Sequence, residues 1–358
     1  MGIKVLIVDD SAFMRVVLSK LLEQDALIQV IGTARNGREA VEKVKTLHPD
    51  VITMDIEMPE LNGIEALQSI MKECPTPVIM LSSHTKEGAE TTLDGLKYGA
   101  FDFLTKPENL YKGNLDTIGA ELLIKVKAAA KTQVQRLASP VSNSAMTAPR
   151  SSVRANVETD KKVRQIVAIG TSTGGPRALE TVLTSLPAGI GCPFLIVQHM
   201  PPSFTKSLAE RLNKICQIGI VEATHNQLIE NGVAYIAPGG HHMEVVSRSG
   251  QYWIALNEQP KRNEHRPSVD VLFESVAELA DVKKHYVLMT GMGNDGARGM
   301  LIGKQKGASS TIAESQKTCV VFGMPKAAID LDCVDKVVPL PAIGEKIIEQ
   351  LQRNSERG

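Results

Sequence analysis

An α/β architecture in two domains is predicted: an N-terminal doubly wound parallel sheet, then a mostly parallel α/β domain carrying an antiparallel hairpin. Three observations predict it. Short β-branched runs alternate with helix-period segments from Lys4 to about residue 130 and again from about residue 164 onward. A polar stretch with almost no clustered aliphatic residues separates the two series. The length of 358 residues also exceeds what one hydrophobic core ordinarily organises.

In the first series the strand candidates are KVLIV, LIQVIGTA, DVITMD, PVIMLSS and FDFLT. Between them lie segments such as FMRVVLSKLL and REAVEKVKTL, with apolar residues three and four apart. Strand-helix alternation of this kind implies a parallel sheet covered on both faces. The periodicity stops near residue 130. Residues 132–161 are rich in Ser, Ala, Asn and Pro and cannot bury enough apolar area to offset their ordering entropy, so a flexible linker is expected. The expected boundaries are 1–130, a linker over 131–161, and 162–358. The second series opens at RQIVAIG and continues through CPFLIVQH, GVAYIA, HYVLMT and ASSTIA. HHMEVVSRSGQYWIALN reads as two strands joined at Ser249-Gly250.

Composition narrows the function classes. Forty basic residues balance forty acidic ones, which offers no bulk attraction for nucleic acid or anionic membrane. A DNA-binding output would need a basic helix-turn-helix, whereas the second half is large and nearly neutral. Cys74, Cys192, Cys216, Cys319 and Cys333 are scattered without a C-x-x-C pair, which indicates reduced thiols rather than a zinc site or disulfide framework. The start, MGIKVLIVDDS, lacks the apolar length of a signal peptide, and no run approaches a membrane-spanning one. A cytoplasmic protein with no nucleic-acid partner and no membrane insertion is expected.

The first strand candidate ends in Asp9 and Asp10 and the third in Asp55. Ligands bind at the carboxyl ends of strands in a doubly wound sheet, so the three carboxylates converge there. Their repulsion calls for a divalent cation, and oxygen-only ligation suits Mg²⁺. Ser82 ends the fourth strand and Lys106 follows the fifth, where a hydroxyl and an ammonium can hold the oxygens of a phosphoryl group on Asp55. Any one of these could be a helix cap or a loop acid; five at successive strand ends are hard to assign to chance. Residues 3 to about 125 resemble the receiver domain of response regulators, on IVDDS, MDIEMPELNG, PVIMLSS and FLTKP. The resemblance implies Asp55 as phosphoacceptor, Asp9 and Asp10 with Mg²⁺, Ser82 and Lys106 as switch residues, and a cis bond before Pro107. It places Phe103 where receivers carry a rotameric aromatic, although a Phe in a strand is by itself simply core.

RQIVAIG runs into GTSTGGP, from Gly170, and then into a helical pattern. A dinucleotide fingerprint fails here, because Ser172 occupies the place of its second glycine and the next strand ends in Gln198-His199 rather than an acid. G-x-S-x-G matches a nucleophile elbow, although glycine turns with serine are common as plain helix caps. His199 at the end of the next strand and Asp295 in the loop after HYVLMT raise its weight. Three strands would deliver a nucleophile, a base and an orienting acid to one sheet edge. Their chain order differs from the α/β-hydrolase order. His241 and His242, adjacent on a strand, point to opposite faces and make a poor metal pair. His265 has a stronger claim, because RPSVD begins a helix able to line the cleft.

Residues 164 to about 350 resemble the catalytic domain of chemotaxis protein-glutamate methylesterases, on IGTSTGGP, VQHMPPSFT, YIAPGGHHM, HRPSVDVLF and TGMGNDGARGM. The resemblance implies hydrolysis of glutamyl methyl esters on chemoreceptors, often with deamidation of receptor glutamines, and a chemotaxis histidine kinase as phosphodonor. It implies Ser172, His199 and Asp295 as the triad, Met292 as a backbone oxyanion donor, and Thr173 and His265 as neighbours, with no cofactor required at the esterase site. It further implies that the unphosphorylated receiver covers the cleft, which a linker holding an effective concentration of ~1 mM makes feasible. The residues alone leave thioesterase, peptidase and an inert adaptor open.

Overall fold

A computed structural model describes residues 2–83, 85–106, 115–132 and 162–355 and divides into two compact units near residue 140. Residues 133–161 of the expected linker, and Pro107 with its expected cis bond, lie outside the described residues.

The first unit is a five-stranded parallel sheet in the order β2-β1-β3-β4-β5. Its strands are β1 (Ile3–Val8), β2 (Ile28–Ala34), β3 (Val51–Asp55), β4 (Val78–Ser82) and β5 (Asp102–Thr105). Strands β3 and β4 are buried along their whole length, as continuous apolar runs between two helical layers should be. The helices are α1 (Ala12–Leu22), α2 (Gly37–Leu47), α3 (Gly63–Glu73), α4 (Lys86–Lys97) and α5 (Leu115–Ala129). Ser11, Asn36, Asn62 and Thr85 cap the first four, each accepting a backbone N–H of the first turn. Asn62 and Glu65 complete a reciprocal capping box.

The second unit contains a wholly parallel seven-stranded sheet in the order β14-β13-β12-β6-β7-β9-β8. Its members are β6 (Gln165–Thr171), β7 (Phe194–Gln198), β8 (Gly219–Glu222), β9 (Val233–Ile236), β12 (Lys283–Leu288), β13 (Ser310–Glu314) and β14 (Lys336–Val338). The expected hairpin, β10 (His242–Arg248) with β11 (Gln251–Asn257), forms a separate two-stranded sheet. Ser249 and Gly250 at its tip both have positive φ, as a two-residue type I′ turn requires.

Among its described residues this unit has six helices: α6 (Gly175–Thr184), α7 (Phe204–Ile215), α8 (Val269–Ala277), α9 (Ala297–Gln305), α10 (Met324–Asp330) and α11 (Leu340–Ser355). Helix α8 packs its Phe273 edge-to-face on Tyr286 of β12, with ring centroids 5.1 Å apart and both side chains fully buried. Burying each such ring is worth about 1.5–3 kcal/mol. Ser275 on α8 accepts the Val245 N–H through its hydroxyl, which docks the hairpin on the same helix. Among the described residues no helix is long and apolar enough to cross a membrane.

Candidate active site

Strand register places the first two members of the predicted triad. Thr171 on β6 pairs with Gln198 on β7, so the chain leaves both strands together and Ser172 and His199 emerge side by side. The Ser172 N–H donates to Thr290 O at 3.0 Å, and the His199 N–H to Thr171 O at 3.1 Å. The turn is tight: Gly174 holds φ at +79°, and a Cβ there would lie 2.7 Å from Val320. Within that buried turn Ser172 is the half-exposed residue, directly ahead of the α6 N-terminus, where positive partial charge favours an oxyanion.

Asp295 arrives from the loop after β12. Its Oδ2 lies 2.8 Å from His199 Nε2, with side-chain exposures of 1% and 5%. The carboxylate has four further donors: Val269 N at 2.6 Å on Oδ2, and Ser268 Oγ at 2.8 Å, Asn263 Nδ2 at 2.7 Å and Asp270 N at 3.1 Å on Oδ1. Burial pushes this carboxyl up. The hydrogen bond and charge of His199, with those from Asn263 and Val269, outweigh burial and hold it well below the usual carboxylate range. An ionised Asp295 keeps the proton on Nε2 and leaves the Nδ1 lone pair as the imidazole's base. Nδ1 is buried and has no hydrogen-bond partner, so the His199–Asp295 pair is formed while no hydrogen bond joins His199 to Ser172. Unligated sites are commonly loose at this contact.

Asp295 also caps α8, and Asp270 returns the interaction. Asp270 Oδ1 accepts Gly296 N at 3.0 Å and Gly299 N at 2.6 Å around the start of α9, and Asn263 Nδ2 bridges to its Oδ2 at 2.8 Å. Burial raises the Asp270 pKa, partly countered by those donors. Arg262 holds the same loop to α8 through two 2.6 Å bonds to Glu274. Asn263, Ser268 and Asp270 were not predicted as site residues. A serine and an acid at a helix start signal only a cap in sequence, and what they cap against is a tertiary fact.

The neighbours fall as follows. The His265 ring stacks on His199, centroids 3.6 Å apart and 15° from parallel. Thr173 is buried, and its carbonyl accepts the Thr290 hydroxyl at 2.9 Å. Met292 is half-buried and follows Gly291, whose Cβ position would be 2.9 Å from Ser172 Cβ. His242 is buried, donating from Nε2 to Pro260 O at 3.1 Å and accepting Ser268 N on Nδ1 at 3.2 Å, whereas His241 is half-buried, its Nε2 3.2 Å from Glu258.

At the carboxyl edge of the first unit's sheet, Val8 pairs with Met54 and Asp55 with Leu81, which brings Asp9, Asp55 and Ser82 into one row. Asp9, Asp10 and Asp55 offer carboxylate oxygens all within 4.8 Å of one another. Lys106 Nζ lies 2.9 Å from Asp9 Oδ2 and 2.7 Å from Asp55 Oδ2. Burial raises the Asp55 pKa to about 6 in spite of Lys106, and Asp9 adds to the rise. Arg15 Nη1 donates to the carbonyls of Asp9 and Asp10 and fixes their main chain. The Ser82 hydroxyl donates to Gly88 O at 3.1 Å and accepts from Thr92 at 2.6 Å, tying β4 to α4. Phe103 is buried, with Lys125 Nζ 5.6 Å from its ring centroid.

Comparison with known proteins covers both units. A family model described as CheB methylesterase matches residues 167–347, and one described as response regulator receiver domain matches residues 5–113. A protein-glutamate methylesterase/protein-glutamine glutaminase of Geobacillus kaustophilus is 49% identical over 351 residues, covering 97% of this chain and 98% of its own length. A protein of the same description from Pyrococcus horikoshii is 43% identical over 350 residues, covering 98% and 94%. The crystal structure of the Thermotoga maritima CheB methylesterase catalytic domain superimposes with a TM-score of 0.51 at 42% identity, covering 52% of this chain and 98% of that one.

Proposed function

The chain belongs to the CheB methylesterase family, joined to a response-regulator receiver domain, and we propose that Ser172, His199 and Asp295 are the residues that perform its esterase reaction. The enzyme is a protein-glutamate methylesterase and glutaminase of chemotaxis adaptation, and its receiver makes it responsive to phosphorylation. The observation that carries the residue assignment is the buried His199–Asp295 pair with its partnerless Nδ1, on a strand end paired with the one that leads into the half-exposed Ser172.

Ser172 Oγ attacks the γ-carbonyl of a glutamyl methyl ester while His199 Nδ1 takes its proton. Charge builds on the carbonyl oxygen in front of the α6 N-terminus and the Met292 main chain. As the C–O bond breaks, the imidazolium returns the proton to the departing methoxide, releasing methanol and leaving an acyl-serine. Water, deprotonated by the same nitrogen, then frees the glutamate. A glutamine side chain enters the same sequence with ammonia as leaving group. Asp295 stays ionised throughout, fixing the tautomer and stabilising the imidazolium.

Asp55 is the proposed phosphoacceptor. Asp9, Asp10 and Asp55 fit Mg²⁺: three clustered carboxylates form the hard oxygen set this ion takes. Bound there, the ion supplies charge neutralisation for a phosphoryl group on Asp55. Lys106, already on Asp55, and Ser82, once released from Gly88, would hold phosphoryl oxygens. The phosphodonor is a chemotaxis histidine kinase and the substrate a methylated chemoreceptor. We place the protein in the cytoplasm, a reading supported by five thiols in no disulfide.

The test measures methanol from methylated receptor with and without a small-molecule phosphodonor. Ser172→Ala should lower turnover by about 10⁴-fold or more while leaving the fold intact. Near-parental release from that variant would end the assignment.

A further inference from the structure

We infer that Gln198 is a positioning residue for the hydrolysis, setting the spacing between nucleophile and base from beneath. The inference rests on Ser172 and His199 being that pair. The Gln198 side chain leaves the end of β7 and is 2% exposed. Its Nε2 donates to Ser172 O at 3.0 Å and to His199 O at 3.0 Å. One carboxamide thus uses both its hydrogens to tie the residue carrying the attacking hydroxyl to the residue carrying the base. The orientation of the amide follows from chemistry. Both neighbours are carbonyl oxygens, so the nitrogen must face them, and a flipped amide would set oxygen against oxygen.

The other end of the amide shows what the arrangement costs. Gln198 Oε1 is buried and has no partner. A buried acceptor without a donor costs about 1–3 kcal/mol, a cost not expected of a side chain whose only task is to fill space. It sits against the bare Cα of Gly175, where a Cβ would lie 1.9 Å from Oε1 and 2.5 Å from Thr171 Oγ1. Gly175 has no positive φ; the turn's left-handed residue is Gly174. Gly175 is therefore a glycine to admit Gln198, and the two residues form one device. A further donor reaches the same carbonyl, because Gly175 N bonds Ser172 O at 2.7 Å.

The spacing matters because proton transfer from Ser172 to His199 Nδ1 is acutely distance-dependent, and a misplacement of about 1 Å can cost on the order of 100-fold. Strand pairing stops at Thr171 and Gln198, one residue short of both catalytic side chains. Beyond that pair the main chain supplies the bond from the His199 N–H to Thr171 O, and Gln198 adds the link between Ser172 and His199.

The experiment compares full-length Gln198→Met, Gly175→Ala and the double variant with the parent and Ser172→Ala, following methanol release from methylated receptor and thermal unfolding. Gln198→Met keeps the length and removes both donors; Gly175→Ala keeps the donors and displaces them. Each single variant should lose about 10- to 100-fold in kcat with KM within twofold. The double variant should be no worse than the poorer single one, because both act on one device. A folded Gln198→Met with kcat within threefold of the parent overturns the inference, as does a double variant whose losses multiply. A kcat loss matched by an equal rise in KM also overturns it, by showing a distorted substrate cleft. Failure of both single variants to fold makes Gln198 scaffold and overturns it as well. Activity persisting in Ser172→Ala would instead overturn the triad on which the inference rests.

Discussion

Asp295→Asn removes one charge and replaces one acceptor by a donor in a site that contains only donors. Five groups point at the carboxylate: His199 Nε2 and Val269 N on Oδ2, and Ser268 Oγ, Asn263 Nδ2 and Asp270 N on Oδ1. An asparagine can turn its NH₂ either way, and neither way is satisfied. Toward Oδ2 it opposes the Val269 N–H, and His199 must give up its Nε2 proton to accept from it. Nδ1 then carries the hydrogen and cannot act as base. Toward Oδ1 the NH₂ opposes the Asp270 N–H and the Asn263 amide. A buried donor left without an acceptor costs about 1–3 kcal/mol, and a lost charge-assisted bond a similar amount, so about 3–5 kcal/mol of stability should go. For a unit of roughly 200 residues this lowers the unfolding midpoint by about 10–15 °C. Turnover should fall by about 10³- to 10⁴-fold through the tautomer. Calorimetry of the full-length variant reads the first quantity and methanol release the second. A variant as stable as the parent would refute the donor accounting. A destabilised variant with parental turnover would refute the tautomer argument and leave Asp295 as a helix cap alone.

The other expectations concern both units. Asp55→Asn should abolish phosphate incorporation from a small phosphodonor and the stimulation it brings, while basal methanol release survives; stimulation that persists would place the acceptor elsewhere. Burial, together with the charge on Lys283, pushes His285 down to about 4. Between pH 6.5 and 4 the unfolded chain therefore takes up a proton that the folded one refuses, and stability present above pH 6.5 is lost as pH falls, by about 3 kcal/mol. His285→Gln should flatten that part of the unfolding-versus-pH curve, and an unchanged slope would show that His285 is not its source. Lys125 is nearly buried against Asp102 at 2.7 Å, so Lys125→Met should deprive that carboxylate of its ammonium and cost the receiver about 3 kcal/mol in denaturant unfolding. A loss below about 1 kcal/mol would count this pair among surface-like bridges.

Most strands were legible as apolar runs, the central ones because burial on both faces makes those runs continuous. Two short edge strands were not. β8 is the four residues GIVE and β14 the three residues KVV, each at a sheet edge with part of its surface exposed, and such segments fall below the length at which a pattern separates from chance. The hairpin was legible from Ser249-Gly250, but its separation from the main sheet depends on docking against α8. Ser172, His199 and Asp295 could be proposed from sequence because each follows a strand. Gln198, Asn263 and Asp270 could not, since their roles lie in which distant backbone they meet. Gly175 shows the same limit: the pair Gly174-Gly175 looks like one turn, yet only the first is there for its backbone angle.

The order of strands in the larger sheet carries a consequence for how this enzyme is made. β6 lies at the middle, between β7, which follows it at once, and β12, which arrives only after the hairpin and α8. Within this unit the proposed nucleophile and base therefore leave the ribosome first, while the proposed orienting acid trails the base by 96 residues. Contacts so distant in sequence form late, because the chain between them must first be closed into a loop. A nascent chain can pair β6 with β7 and still have no oriented imidazole. On the proposed triad, hydrolytic chemistry is expected only once β12 joins the sheet and brings Asp295 to His199, so an unfinished copy should spare the esters around it.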